Sequence, residues 1–285
     1  MIIIRSIGGL GNQMFQYALA RKLSILNSTE FKLDISWHKK NPDRPYQLYH
    51  FNILENITTE YPISGKILNI TCNILPFSKM KYIKEKSIDF DPDILEVRGN
   101  VYLEGYWQSE KYFKDIYDIL KNDFTFKTQP DSKNESWIHK MQTENSVCVH
   151  IRRGDYVLNP QTNRIHGLCS LKYYSSAIGL ITERIKDPIF YIFSDDPNWV
   201  KNNINIESPT FYISNNPSQN GPEDFRLMTW CKHYIIANSS FSWWAAWLSN
   251  NRSNKIVICP VPWFMSLPYN PSDRVPSDWI QLNAY

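Results

Sequence analysis

The sequence predicts an α/β protein built as two halves, each a parallel sheet wrapped by helices. Two observations carry this expectation. The chain opens with an apolar strand, a glycine turn and a helical pattern. Its second half alternates short apolar runs with helical segments, as strands buried on both faces do. At 285 residues the chain suits one large domain or two moderate ones.

In order, residues 2–7 read as a buried strand and residues 8–12 as a loop. From Gln13 the spacing of Met14, Tyr17, Ala18, Arg21 and Ile25 is helical. Residues 31–35 form the next strand. Residues 36–52, with Pro42 and Pro45, are loop-rich. Residues 101–106 make a strand, and Ser109 caps a helix reaching Leu120. Residues 53–98 carry no pattern that points to a function. The polar stretch 127–145, with Pro130, marks the division into a first domain of 1–140 and a second of 141–285. In the second, strands are expected at 147–151, 189–193, 211–214, 235–237 and 255–259. Helices are expected at 171–186, 224–234 and 240–248. Leu171, Tyr174, Ile178, Ile181 and Ile185 share one face of the first of these. Pro260 and Pro262 close the series.

Composition excludes more than it identifies. The net charge of +3, from 31 basic and 28 acidic residues, is too small and too dispersed for a dedicated nucleic-acid binder. The densest basic run is Lys79, Lys81, Lys84 and Lys86. It reads either as a solvated face or as peripheral contact with an anionic membrane surface. No apolar run is long enough to span a bilayer, and the N-terminus carries no signal-peptide pattern. The five cysteines, Cys72, Cys148, Cys169, Cys231 and Cys259, show no zinc spacing, and their odd number fits a reducing compartment. A cytoplasmic location follows, at the inner membrane face if the lysines touch lipid. Nothing in the pattern fixes an oligomeric state.

Four stretches could carry chemistry. Gly8-Gly9-Leu10-Gly11-Asn12 follows a strand and precedes a helix; it is either a tight turn or a loop on which a phosphate or sugar approaches backbone. His150-Ile151-Arg152-Arg153-Gly154-Asp155 ends a strand at the carboxyl edge, where open α/β sheets bind ligands. The two arginines either fork onto a diphosphate or pair with carboxylates such as Asp155. Ser194-Asp195-Asp196-Pro197 ends the next strand. Its acids have three readings: a divalent metal, contacts to ribose, base or acceptor, or a helix cap. Asn238-Ser239-Ser240-Phe241 enters a helix, and its serines either cap that helix or hold phosphate. Trp243, Trp244 and Trp247 read as packing residues. Glu223 and Asp224 suit a helix N-terminus. His166 is a candidate acceptor contact, and His233 reads as a structural residue within a helix.

Taken together, residues 8–18, 150–156, 193–196 and 224–247 resemble the bacterial alpha-1,2-fucosyltransferase family, glycosyltransferase family 11-like, with a more distant likeness to alpha-1,6- and protein O-fucosyltransferases. The resemblance implies a GT-B-like fold, two Rossmann-like domains facing across a donor cleft. It implies inverting, metal-independent transfer of L-fucose from GDP-β-L-fucose to the 2-hydroxyl of a β-galactoside, with no cofactor. The partners are then GDP-fucose and a galactose-containing glycan. Carried onto this chain, Arg152 and Arg153 meet the pyrophosphate. Ser239 and Ser240, with the neighbouring Asn238 and Phe241, give a second anion contact. Gly9, Gly11 and Asn12 approach the donor from the first domain. Ser194, Asp195, Asp196 and Asp224 lie at ribose or guanine. Asp155 or His150 takes the acceptor proton, unless no dedicated base exists. The rival readings are a transferase with another acceptor or linkage, and a non-catalytic sugar- or nucleotide-binding protein.

Overall fold

The computed structural model describes residues 1–59, 80–216, 221–251 and 254–285. Cys72 and Lys79 lie outside them. Contacts divide the chain into two units, Met1–Lys127 and Thr128–Tyr285.

The first unit is a five-stranded sheet. Its strands are β1 (Ile2–Arg5), β2 (Phe31–Asp34), β3 (Ile57–Thr58), β4 (Lys81–Lys84) and β5 (Val101–Glu104). They pair in parallel in the order β3-β2-β1-β5-β4. Helix α1 (Leu10–Leu26) crosses from β1 to β2. Met14, Phe15, Tyr17, Ala18 and Leu23 are almost wholly buried on it. The short α2 (Ser36–Lys39) follows β2, and α3 (Tyr117–Asp123) lies near the unit's end. Tyr17 Oη and Arg21 Nε both donate to Asp123 Oδ2, at 2.7 and 3.1 Å, which ties α1 to α3.

The second unit is a six-stranded sheet of β6 (Ser146–Ile151), β7 (Ile189–Ser194), β8 (Thr210–Ile213), β9 (His233–Ile235), β10 (Val257–Val261) and β11 (Ile280–Asn283). All pairs are parallel, in the order β11-β10-β9-β6-β7-β8. From β6 the chain winds outward through β7 and β8, then returns to β9 and winds the other way. The connection therefore reverses between β6 and β9. The helices are α4 (Ser132–Thr143), α5 (Gly154–Leu158), α6 (Pro160–His166), α7 (Leu171–Arg184), α8 (Pro197–Asn203), α9 (Gly221–Met228), α10 (Ser240–Trp247) and α11 (Pro271–Arg274). Val147, Val149 and Ile151 of β6 pack with Tyr173, Ala177 and Ile181 of α7 in one core. The tryptophans of α10 are packing residues as expected. Trp243 stacks on Trp247 at 5.9 Å and meets Trp279 at 5.6 Å.

Several sequence expectations are corrected. The contact division falls after Lys127, ahead of the boundary placed at 140, because α4 belongs to the second sheet. Its Trp137 packs on Tyr191 and Phe211, and Met141 O accepts from Ser146 Oγ of β6. The helix expected from Ser109 to Leu120 is broken into two 3₁₀ turns, Glu110–Tyr112 and Lys114–Ile116, before α3 begins. The break falls at buried Phe113, whose φ of −149° and ψ of 4° are not helical. His233 lies not in a helix but at the start of β9. Helix α9 stops at Met228, whose carbonyl accepts from Tyr234 Oη. On α7 the buried face is Tyr173, Tyr174, Ala177 and Ile181, and Leu171 is exposed. Lys81 and Lys84 stand exposed on β4, an edge strand, where lysines oppose pairing with another sheet. Among the described residues no helix is long and apolar enough to cross a membrane. Cys148, Cys231 and Cys259 are buried free thiols.

Candidate active site at the carboxyl edge of the second sheet

In a parallel sheet, the point where the connection reverses leaves a crevice beyond the strand ends, because the loops on either side leave in opposite directions. Here that point lies between β6 and β9. Val149 is in register with Ile235. Arg153 and Ser239 each stand four residues beyond that pair (153 − 149 and 239 − 235), so both flank the crevice. Strand β7 borders β6 on the other side, Ile151 opposite Ser194, and brings Asp195 and Asp196 to the same edge. Three of the four sequence stretches thus converge in one unit.

The two arginines are held differently. Arg152 places Nη2 2.5 Å from Asp155 Oδ1 and Nη1 2.8 Å from Asp195 Oδ2, with its guanidinium 5.7 Å from the Tyr156 ring. These carboxylates reinforce its charge, so the carboxylate-pairing reading holds for Arg152. Arg153 gives only Nε to Asp196 Oδ2, at 3.0 Å, and lies flat on Trp199 with its guanidinium carbon 3.6 Å from the ring centre. Both Nη atoms have no protein partner among the described residues. A guanidinium fixed in plane and orientation, with its outer fork presented, is what bidentate recognition of phosphate oxygens requires.

The acids frame these arginines. Asp195 Oδ1 accepts the Arg153 amide at 2.8 Å, while its other oxygen meets Arg152. A Cβ at Gly154 would lie 2.6 Å from Asp195 Oδ2, so glycine is needed for the carboxylate to reach both. Asp196 caps α8 through the Trp199 amide and accepts from Arg153. Ser194 Oγ accepts from the Asp196 amide. Among the described residues no group of three or more His, Cys, Asp or Glu could hold a metal ion.

His150 lies beneath the edge, 6% exposed, with its ring 5.8 Å from Phe241. Its Nδ1 is buried without a partner among the described residues. Burial first, and Arg152 second, hold its pKa down near 4 against the pull of Asp195, so the ring is neutral at physiological pH and a weak base. Asn238 is 2% exposed and its side chain is engaged structurally. Nδ2 donates to the carbonyls of His166, Gly167 and Trp263, at 2.8, 3.4 and 3.2 Å, and Oδ1 faces Cys169 Sγ. These bonds tie the end of α6 to the sheet. Ser239 is the N-cap of α10 by backbone geometry, yet its side chain makes no cap bond, which leaves the hydroxyl for another partner. Phe241 packs between His150 and Phe225. Ring stacking at 4.8 Å joins His166 to Tyr156. Asp224, on the first turn of α9, accepts from Asn216 Nδ2 at 2.7 Å, and burial raises its pKa to about 6.

The glycine loop sits at the corresponding reversal of the first unit's own sheet, between β1 and β5. Gly8 has φ +79°, and Gly9 is the N-cap of α1, which begins at Leu10 rather than Gln13. Gly11 is buried in the first turn. Asn12 Oδ1 accepts from Gln108 Nε2 at 2.5 Å. Gln13 is wholly buried and bridges the carbonyls of Gly8 and Pro45. Sequence reasoning missed Trp199, Gln108 and Arg44, whose Nη1 lies 3.6 Å from the Cβ position of Gly9. Only Trp199 had a legible signal: it is the third residue of a helix capped by Asp196.

Two Rossmann-like units, each a parallel sheet with a reversal in its connections, define a GT-B-like fold. Residues 1–282 match the profile of glycosyl transferase family 11, and the chain belongs to that family. It is 36% identical to the alpha-1,2-colitosyltransferase of Escherichia coli over 99% of both chains. It is 33% identical to the O-antigen biosynthesis glycosyltransferase WbnK of Escherichia coli, covering 96% of this chain and 98% of that one. Pig galactoside alpha-(1,2)-fucosyltransferase 2 (Sus scrofa) is 25% identical over 100% of this chain and 80% of its own length. Among solved structures, NodZ alpha-1,6-fucosyltransferase soaked with GDP-fucose superposes with a TM-score of 0.52 at 13% identity, over 87% of this chain and 92% of NodZ. At that identity the likeness concerns the fold.

Proposed function

We propose that the chain transfers L-fucose from GDP-β-L-fucose to the 2-hydroxyl of a β-galactoside, with inversion, giving an alpha-1,2 linkage. The observation that carries this reading is the Arg153 fork at the β6–β9 reversal, held flat by Trp199 and Asp196. The relatives' names supply the sugar and the linkage.

In this reading the acceptor oxygen attacks fucosyl C1 from the face opposite GDP. Negative charge grows on the diphosphate as the C1–O bond breaks. Arg153 and the first-turn amides of α10, with Ser239 Oγ, meet that charge. Arg152 fixes Asp195 and Asp155, and Asp195 in turn holds the Arg153 backbone. The departing charge is met by arginine and amides, so no divalent ion is required. His150 lies beneath the edge at 6% exposure, poorly placed to meet an acceptor hydroxyl. Asp155, partly exposed beside Arg152, is the remaining acid–base candidate. Asp224 provides a carboxylate for guanine N–H groups. Gly9, Gly11 and Asn12 belong to the ligand edge of the first unit.

A second donor is favoured by one observation, the 36% identity to a colitosyltransferase. Colitose is fucose without its 3-hydroxyl, so the same site chemistry applies at C1. Incubation with GDP-fucose or GDP-colitose and a panel of β-galactosides, followed by NMR linkage assignment, separates the readings. A fucosyl alpha-1,2 product at the higher kcat/KM supports the first. Preference for colitose replaces the donor, and turnover of neither leaves a binding protein.

A further inference from the structure

Glu85, the residue after β4, braces a loop on the neighbouring strand. Its carboxylate accepts two successive backbone amides across the sheet, Tyr106 at 2.6 Å and Trp107 at 2.9 Å, in the loop that leaves β5. That loop is held in an unfavourable shape. Trp107, 1% exposed, has φ +55°, a left-handed conformation that bulky residues avoid. Gly105 cannot be replaced, because a Cβ there would lie 2.4 Å from Glu85 Cβ. Its carbonyl accepts from Gln16 Nε2 of α1 at 2.9 Å. The loop is therefore gripped from both sides at the reversal between β1 and β5.

The consequence is the placing of two side chains. Burying Trp107 turns its neighbours outward: Tyr106 is 42% exposed, and Gln108 reaches Asn12 beside the glycine loop. A phenol ring and two amide side chains at a sheet reversal make a hydrogen-bonding edge, with the Arg44 guanidinium beside it at Gly9. The phenol and the amides match a sugar's apolar face and its hydroxyls. We infer that Glu85 is a positioning residue, holding the 105–108 loop so that Tyr106 and Gln108 read a neutral sugar, the acceptor of the transfer. The inference rests on the transferase reading for the word acceptor, and on the geometry of the first unit for the sugar.

The test measures binding, so that it stands apart from turnover. Methyl β-lactoside is titrated into the full chain by ligand-observed NMR, and GDP by calorimetry, for wild type, Glu85→Gln, Glu85→Ala and Gln108→Ala. The sugar dissociation constant is expected to rise in the order wild type, Gln, Ala at position 85. It should rise at least tenfold for Glu85→Ala and for Gln108→Ala, with GDP affinity within twofold throughout. Gln108→Ala leaves the loop's backbone bonds intact and decides the matter if Glu85→Ala fails to fold. Sugar affinity within twofold of wild type in Gln108→Ala and the folded Glu85 variants overturns the inference. So does a parallel loss of GDP affinity, or a wild-type chain that binds no galactoside at millimolar concentration. A chain that binds the sugar yet forms no glycoside counts against the transferase reading alone.

Discussion

Asp224 is a carboxylate that the free chain keeps at a cost, and replacing it by asparagine separates stability from binding. Its pKa is raised from 3.8 to about 6, chiefly by burial and further by Glu223, with the Asn216 hydrogen bond opposing. A group whose folded pKa exceeds its unfolded value favours folding at low pH and penalises it once pH rises past both values. At about 1.4 kcal/mol per pH unit, the penalty is about 3 kcal/mol at pH 8, about half that at pH 5, and absent near pH 3. Asp224→Asn keeps an oxygen to accept from Asn216 Nδ2. It should therefore stabilise the free protein by about 2–3 kcal/mol at pH 8, with the gain shrinking at pH 5. Urea unfolding at both pH values measures this. If the carboxylate accepts guanine N–H groups, the same variant binds GDP at least about tenfold more weakly by calorimetry. Greater stability together with unchanged GDP affinity would refute the guanine role. No pH-dependent stabilisation would refute the burial reasoning.

His150 titrates the opposite way. Its folded pKa near 4 lies below the unfolded 6.5, so stability is complete above pH 6.5 and is lost as pH falls toward 4. Between pH 7.5 and 5 the wild type should lose about 2 kcal/mol more than His150→Gln, measured by urea unfolding. Equal losses remove His150 as the titrating group. Gly154→Ala drives a Cβ onto Asp195 and should lower kcat/KM at least tenfold while circular dichroism is unchanged; wild-type turnover would show that Asp195 need not hold both arginines. Transfer should survive excess EDTA. Loss that Mg²⁺ or Mn²⁺ restores would revive a metal role for Asp195 and Asp196.

The strands were readable because parallel strands buried on both faces are continuous apolar runs, as at 147–151 and 189–193. The site was readable where residue type is costly to bury without a reason, as with Arg152 and Arg153. What the sequence could not show is how the two arginines divide their tasks. Adjacent residues of one type look alike until Asp195, Asp155 and Trp199 are placed around them, and these come from other strands and helices. The inward turn of Asn238 onto three carbonyls was equally hidden, because those carbonyls come from distant loops. Short helices such as α5, α6 and α8 lack enough turns to show a period. Glu85 lies in a stretch without pattern, and its importance appears only through the left-handed Trp107 across the sheet.

The claim on which the rest depends is that Arg153 grips the diphosphate of a guanosine sugar nucleotide. Calorimetric titration of GDP into wild type, Arg153→Lys and Arg153→Ala tests it most directly. Each charge-assisted hydrogen bond lost is worth about 1.5–3 kcal/mol, so affinity should fall at least about tenfold in both variants, with alanine the weaker. A folded Arg153→Ala chain that binds GDP as the wild type does would contradict it.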